Sequence, residues 1–106
     1  LLAYKSDWRL FCAWCAENGY RPLPATPATV AAFLTLLAET GFVPREPRRT
    51  KRGRVLPVKE PAPLARSTIG RRLASIVFAH RAAGAEPPTS QPDAARLEKA
   101  MRAIRK

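Results

Sequence analysis

The sequence predicts an all-α domain, a small bundle of four main helices, on three observations. Apolar residues recur at spacings of three and four in four separate stretches. No segment has the period-two alternation of a half-buried strand. Prolines at positions 44, 47, 57, 61 and 63 divide the second helical pattern from the third. At 106 residues the chain has the size of one compact domain with a modest core, and no second folded domain fits.

The first helix is expected over residues 1–18, with Tyr4, Trp8, Phe11, Cys12 and Cys15 on its inward face, Lys5, Ser6 and Arg9 pointing away, and Gly19 ending it. The second opens with Thr26 as N-cap and Pro27 at the first helical position, continues through Val30, Phe33, Leu34, Leu37 and Ala38, and stops at Gly41. The third begins near Arg66 or Ser67, carries Ile69, Leu73, Ile76, Val77 and His80 on one stripe with Ser67, Arg71 and Ser75 opposite, and ends at Gly84. The fourth covers residues 93–104, with Leu97, Ala100, Met101 and Ile104 inward and Arg96, Lys99 and Arg102 outward. Isolated helices of this length are marginal in water, so the four apolar faces must share one core.

Between the second and third helices, residues 42–65 combine proline density with a run of cations: Arg45, Arg48, Arg49, Lys51, Arg52, Arg54 and Lys59 stand against Glu46 and Glu60. The segment reads as a basic, flexible loop or arm. A short hairpin over residues 55–58 around Arg52 and Gly53 is conceivable, with Pro57 against it. The core Lys51-Arg52-Gly53-Arg54 is similar to the arginine–glycine–arginine of minor-groove AT-hooks, but Val55 stands where proline is expected, which favours phosphate contact or a solvated run.

Nineteen Lys and Arg against eight Asp and Glu give a formal charge of +11, so a polyanion, and nucleic acid first, is the expected partner. An acidic membrane surface is the rival. The longest apolar stretches, such as residues 30–38, are far shorter than the ~20 residues of a bilayer span. The chain opens at Leu1 without Met and has no secretory leader pattern, so it reads as an excised piece of a longer intracellular protein. Two cysteines fit a reducing compartment.

Cys12-Ala13-Trp14-Cys15 matches C-x-x-C, yet both thiols fall within a helix and the chain supplies only one histidine and no further cysteine as metal ligands. They are expected to be core residues, and His80 a packed, hydrogen-bonded one. No nucleophile–base set, carboxylate pair or glycine-rich phosphate loop is present, so no catalytic residue, cofactor, metal or small-molecule substrate is expected in this chain. Ser67, Thr68, Arg71 and Arg72 have two readings: a helix N-terminus docked on phosphates, or an ordinary cap with solvated arginines.

Taken in order, these pieces resemble the N-terminal core-binding domain of Cre-like tyrosine recombinases and phage integrases, a SAM-like helical bundle. The resemblance rests on residues 8–15 and on Pro24-Ala25-Thr26-Pro27 with Val30, Phe33 and Leu34. It rests further on residues 67–76 with Ala79-His80-Arg81, and on residues 101–106. It implies a DNA-binding domain that clamps double-stranded DNA at a recombination site, alongside other protomers of the recombinase, in a cytoplasmic, nucleoid-associated setting. It implies contacts from Lys5 and Arg9, from Ser67, Thr68, Arg71 and Arg72, and from Arg105 and Lys106. Charge adds Arg66 and the arm residues Arg48, Arg49, Lys51, Arg52 and Arg54. The tyrosine nucleophile of that family belongs to a catalytic domain expected after Lys106, so Tyr4 and Tyr20 are not it. The basic insertion at 42–65 has no counterpart in the resemblance. A stand-alone DNA-binding regulator and a helical protein-interaction module are the competing functions, the latter suggested by Leu36 and Phe78 lying off the main stripes.

Overall fold

The computed structural model describes residues 2–45, 49–57 and 59–104. Its elements in order are α1 (Leu2–Asn18), α2 (Pro27–Glu39), α3 (Arg66–Ala82), a 3₁₀ turn (Pro88–Ser90) and α4 (Ala94–Ile104). The described residues form no strand, and their only bridge is one antiparallel pair, Arg49 with Val55. The chain is an all-helical bundle of the expected class. Of the hairpin considered over residues 55–58, the described residues contain that single bridge at Val55, and Val58 lies outside the described residues.

Helix ends follow local chemistry. Thr26 sits in extended backbone and its Oγ1 accepts from the Thr29 amide at 3.2 Å, with Pro27 in the first turn, so a replacement by alanine would cost about 1 kcal/mol. Gly19 has φ +76°, and the Tyr20 amide reaches back to the Cys15 carbonyl at 2.9 Å, a Schellman closure of α1. Gly41 closes α2 at φ +81°, and a Cβ there would run into the backbone of Ala62. That close approach brings the end of the 42–65 segment back onto its beginning. Next to it the Leu64 amide donates to the Leu37 carbonyl at 2.9 Å, while Phe42 and Leu64 pack on the core. The segment is therefore a loop fastened at both roots.

Two intimate helix pairs, α1 with α3 and α2 with α4, are joined where α2 also crosses α3. Tyr4 meets Phe78, and Asp7 meets Ser75 and Arg71, so α1 and α3 run antiparallel. The pairs share one core: Phe11, Trp14 and Cys15 from α1, Val30, Phe33, Leu34 and Leu37 from α2, Ile69 and Ile76 from α3, and Leu97 from α4. Phe33 stands at its centre, with ring centroids 5.1 Å from Phe11 and 5.2 Å from Trp14. Burying each such large apolar side chain is worth about 2 kcal/mol, which is what holds helices this short in place.

The inward faces differ from expectation in two places. Among the described side chains of α1 the buried set is Asp7, Phe11, Trp14 and Cys15, with Trp8 and Cys12 only partly covered. The spacing of four and then three from Asp7 puts that acid in line with the aromatics. On α3, Ser75 is buried although the stripe places it on the far side. The reason is that α3 lies between α1 and α2 and so needs two inward faces, whereas a single stripe supplies one. Leu36 is partly buried against the core, while Phe78 is 45 % exposed.

His80 is fully buried. Its Nε2 accepts from the Ala25 amide at 2.8 Å, which leaves the proton on Nδ1, and that nitrogen donates to the Ile76 carbonyl at 2.8 Å. Gln91 holds the Ala25 carbonyl from the other side at 2.8 Å. The imidazole is thus a neutral strut between α3 and the α1–α2 connection.

Candidate functional site

The most polar place in the interior is the seam between α1 and α3. Asp7 is 3 % exposed, and three side chains of α3 converge on its carboxylate. Arg71 donates from Nε to Oδ2 at 3.1 Å and from Nη2 to Oδ1 at 3.2 Å, a side-on bidentate pair. Ser75 Oγ lies 2.9 Å from Oδ2 and 3.0 Å from the Arg71 carbonyl. Arg72 Nε stands 3.4 Å from Oδ1, at ion-pairing distance but without hydrogen-bond alignment, and it is buried with no other acceptor. Burial lowers the Arg72 guanidinium from its ordinary pKa, and the neighbouring Arg71 pushes the same way against the pull of Asp7. One carboxylate faces two guanidiniums, so the cluster keeps one net positive charge.

Around this seam the structure distributes the sequence-derived candidates unevenly. Arg71 is half-exposed and Arg72 largely covered, with side-chain exposures of 48 % and 14 %. Ser67 is exposed and Thr68 partly buried in the first turn of α3, but neither is the cap. Ala65 holds the N-cap position and makes no side-chain capping bond. Arg66 begins that helix. Lys5 and Arg9 are exposed on α1, on the side away from its buried face. Arg48, Arg105 and Lys106 lie outside the described residues.

In the loop, Arg49, Lys51, Arg52 and Arg54 are all exposed. The turn carrying them is braced from within: the Thr50 amide donates to the Arg54 carbonyl at 2.9 Å, and the Arg54 amide donates to Thr50 Oγ1 at 3.1 Å. Arg49 Nη1 donates to the Gly53 carbonyl at 3.2 Å, and Gly53 takes φ +82° at the corner. At the root, the Arg45 amide donates to Glu17 Oε2 at 2.9 Å, tying the loop to the end of α1.

Acids are absent beside the exposed cations of three stretches, while α4 carries both signs. Asp7 is the only acid among residues 1–16 and it is buried; residues 49–59 and the whole of α3 contain none. Two further acids are engaged with cations, Glu17 with Arg45 and Asp93 with Arg96. The outward surface of α1 before Glu17, the loop turn and α3 therefore present one sign of charge.

The remaining polar motifs are packed. Burial pushes the Cys15 thiol up to about 12, with Cys12 contributing, and raises Cys12 as well, so both thiols are protonated at neutral pH and poor nucleophiles. Tyr4 packs against Phe78 with the rings tilted by 47°, and Tyr20 stacks on Trp14. An open groove of about 480 Å³ runs along α3 past Gly70, Leu73, Val77 and Phe78, with Tyr4 on its rim. None of the described helices is long and apolar enough to cross a membrane.

Asp7 is the member that sequence reasoning missed. The usable signal was its register: an acid four residues before Phe11 and seven before Trp14, on a face otherwise apolar. Comparison of the chain with protein-family models, with curated proteins and with solved structures gave no match.

Proposed function

We propose that this chain is the duplex-gripping module of a site-specific tyrosine recombinase or integrase. In this reading it clamps double-stranded DNA at the recombination site, and bond breaking belongs to a catalytic domain following Lys106. The observation that carries the DNA reading is the one-signed surface: a formal charge of +11, with cations outward on α1, the loop turn and α3, and the acid within α1's first four turns turned inward. Such a surface attracts a phosphate backbone over nanometre distances and releases its counterions on contact. The uncapped start of α3 adds backbone donors and the exposed Ser67 to that surface. The recombinase assignment rests on the resemblance of residues 8–15, of 24–27 with Val30, Phe33 and Leu34, of 67–76 with 79–81, and of 101–106 to the family's core-binding domain.

The test is affinity for duplex DNA as a function of salt. A clamp making about five to eight phosphate contacts has a log–log slope of about −5 to −7. A flat response would replace this reading with a protein-interaction module, which the open groove and half-exposed Phe78 favour. A reading frame that continues past Lys106 into a catalytic domain separates the recombinase from a stand-alone regulator.

A further inference from the structure

We infer that Asp7 is a positioning residue that makes Arg71 a preset, two-pronged donor for one acceptor pair on the duplex. The inference rests on the DNA reading above and adds to it a specific contact with its own geometry.

The side-on pair with Asp7 occupies Nε–H and one Nη2–H of Arg71. Three N–H donors remain, and two of them, one Nη1–H and the second Nη2–H, lie parallel on the end edge of the planar guanidinium, turned about 120° from the edge that faces the carboxylate. The Arg71 side chain is 48 % exposed, and in this proposal the end edge is the part open to a ligand. Its support is unusually stiff, because Asp7 is itself held by Ser75 Oγ at 2.9 Å and lies 3.4 Å from Arg72 Nε, both from the same helix. A long arginine side chain loses rotamer freedom when it binds, and here the fold has already taken that freedom away.

The charge balance points the same way. An Asp–Arg pair alone would be neutral and indifferent to anions, but Arg72 adds a second guanidinium, and its buried Nε has no hydrogen-bond acceptor. The cluster is left with a net positive charge directed through the only guanidinium of the two that is substantially exposed. Parallel donors of this kind match two acceptors side by side: the two non-bridging oxygens of a phosphate, or O6 and N7 of a guanine in the major groove. Ser67, one turn earlier on the same side of α3 and exposed, supplies a neighbouring hydroxyl for either.

The inference makes a prediction opposite in sign to bulk electrostatics. Asp7→Asn raises the net charge by one and should tighten a merely electrostatic complex. If Asp7 sets the fork, the same change weakens binding about 5- to 10-fold, because the bidentate support is lost. The experiment measures duplex affinity of the full chain by fluorescence anisotropy for the unaltered protein, Asp7→Asn, Arg71→Lys and the double variant, with thermal melts alongside. Arg71→Lys keeps the charge and removes the fork, so it should show a similar loss without depending on how the buried acid tolerates change. The double variant should be no weaker than the weaker single, since both remove one contact.

Repeating the Arg71→Lys comparison on 7-deazaguanine and methylphosphonate duplexes identifies the acceptor. A difference abolished by the first assigns the guanine edge, and one abolished by the second assigns a phosphate. Folded Asp7→Asn that binds as well as the unaltered chain, or Arg71→Lys that does, overturns the positioning role while leaving the DNA reading intact. Failure of the unaltered chain to bind duplex at low salt would instead remove the reading beneath it.

Discussion

The two cationic regions of this molecule are built on different principles. At the α1–α3 seam, Arg71 and Arg72 are held by a buried carboxylate across two helices, and their geometry is a property of the tertiary fold. In the loop, Arg52 and Arg54 ride on a turn whose bonds are all local, within Arg49–Val55, and their side chains are exposed. The first region spends its charge on orientation and the second on range. A cation fixed in place loses little entropy when it meets its acceptor. A cation on an exposed turn contributes mainly to the long-range field, which is screened beyond about 10 Å at 0.1 M salt.

This contrast sets a series of expected effects. The largest is on stability. Asp7→Ala should lower the unfolding free energy by about 2–3 kcal/mol in urea titrations, since it leaves the mostly buried Arg72 guanidinium without its counter-charge and removes the bidentate partner of Arg71. A cost below about 0.5 kcal/mol, typical of surface substitutions, would mean that the seam is no more structural than the loop.

Next come the two glycines that bound the loop's root and form its tip. Gly41→Ala must both strain a positive φ and displace Ala62, so a loss of about 2 kcal/mol or more is expected, against about 1 kcal/mol for Gly53→Ala, which has the same φ but meets nothing. Equal losses would show that the root is not fastened as described.

In binding, Arg71→Ala should weaken duplex affinity about 10-fold and Arg54→Ala about 2- to 3-fold at moderate salt, the gap reflecting one charge-assisted contact on an ordered support. Equal losses would erase the distinction between the regions. The finest measurement is the salt slope. Replacing Arg52 and Arg54 together should flatten it by up to about 2, since each phosphate contact contributes about 0.9, whereas Arg71→Lys should lower affinity with the slope almost unchanged.

The helices themselves were legible because their signals are local. Thr26-Pro27 marks a start whatever surrounds it, Gly19 and Gly41 mark stops, and the three-and-four spacing of Val30, Phe33, Leu34 and Leu37 needs only one helix to be recognised. The buried fate of His80 could be read from its place on the stripe of α3, though its partner Ala25, far away in sequence, could not. The polar residues of α3 were visible in its sequence, but not which of them were exposed. Ser75 looked outward-facing, and Arg72 was open to phosphate or to water, because a one-stripe reading assumes one neighbour per helix, and α3 has two.

What the sequence determined alone, then, is the class, the ends of the helices, the loop between α2 and α3, and a surplus of positive charge. Each follows from residues within a turn or two of one another, or from a simple sum. What only the tertiary structure decided is which charges are spent internally and which are offered outward. Asp7 and Arg71 are 64 residues apart, and nothing in the chemistry of either specifies the other until the antiparallel packing of α1 on α3 brings a buried carboxylate and two guanidiniums into the same seam. Pairing at that range is set by how the apolar faces of whole helices fit, and a charged residue carries no local mark of the partner that packing will give it.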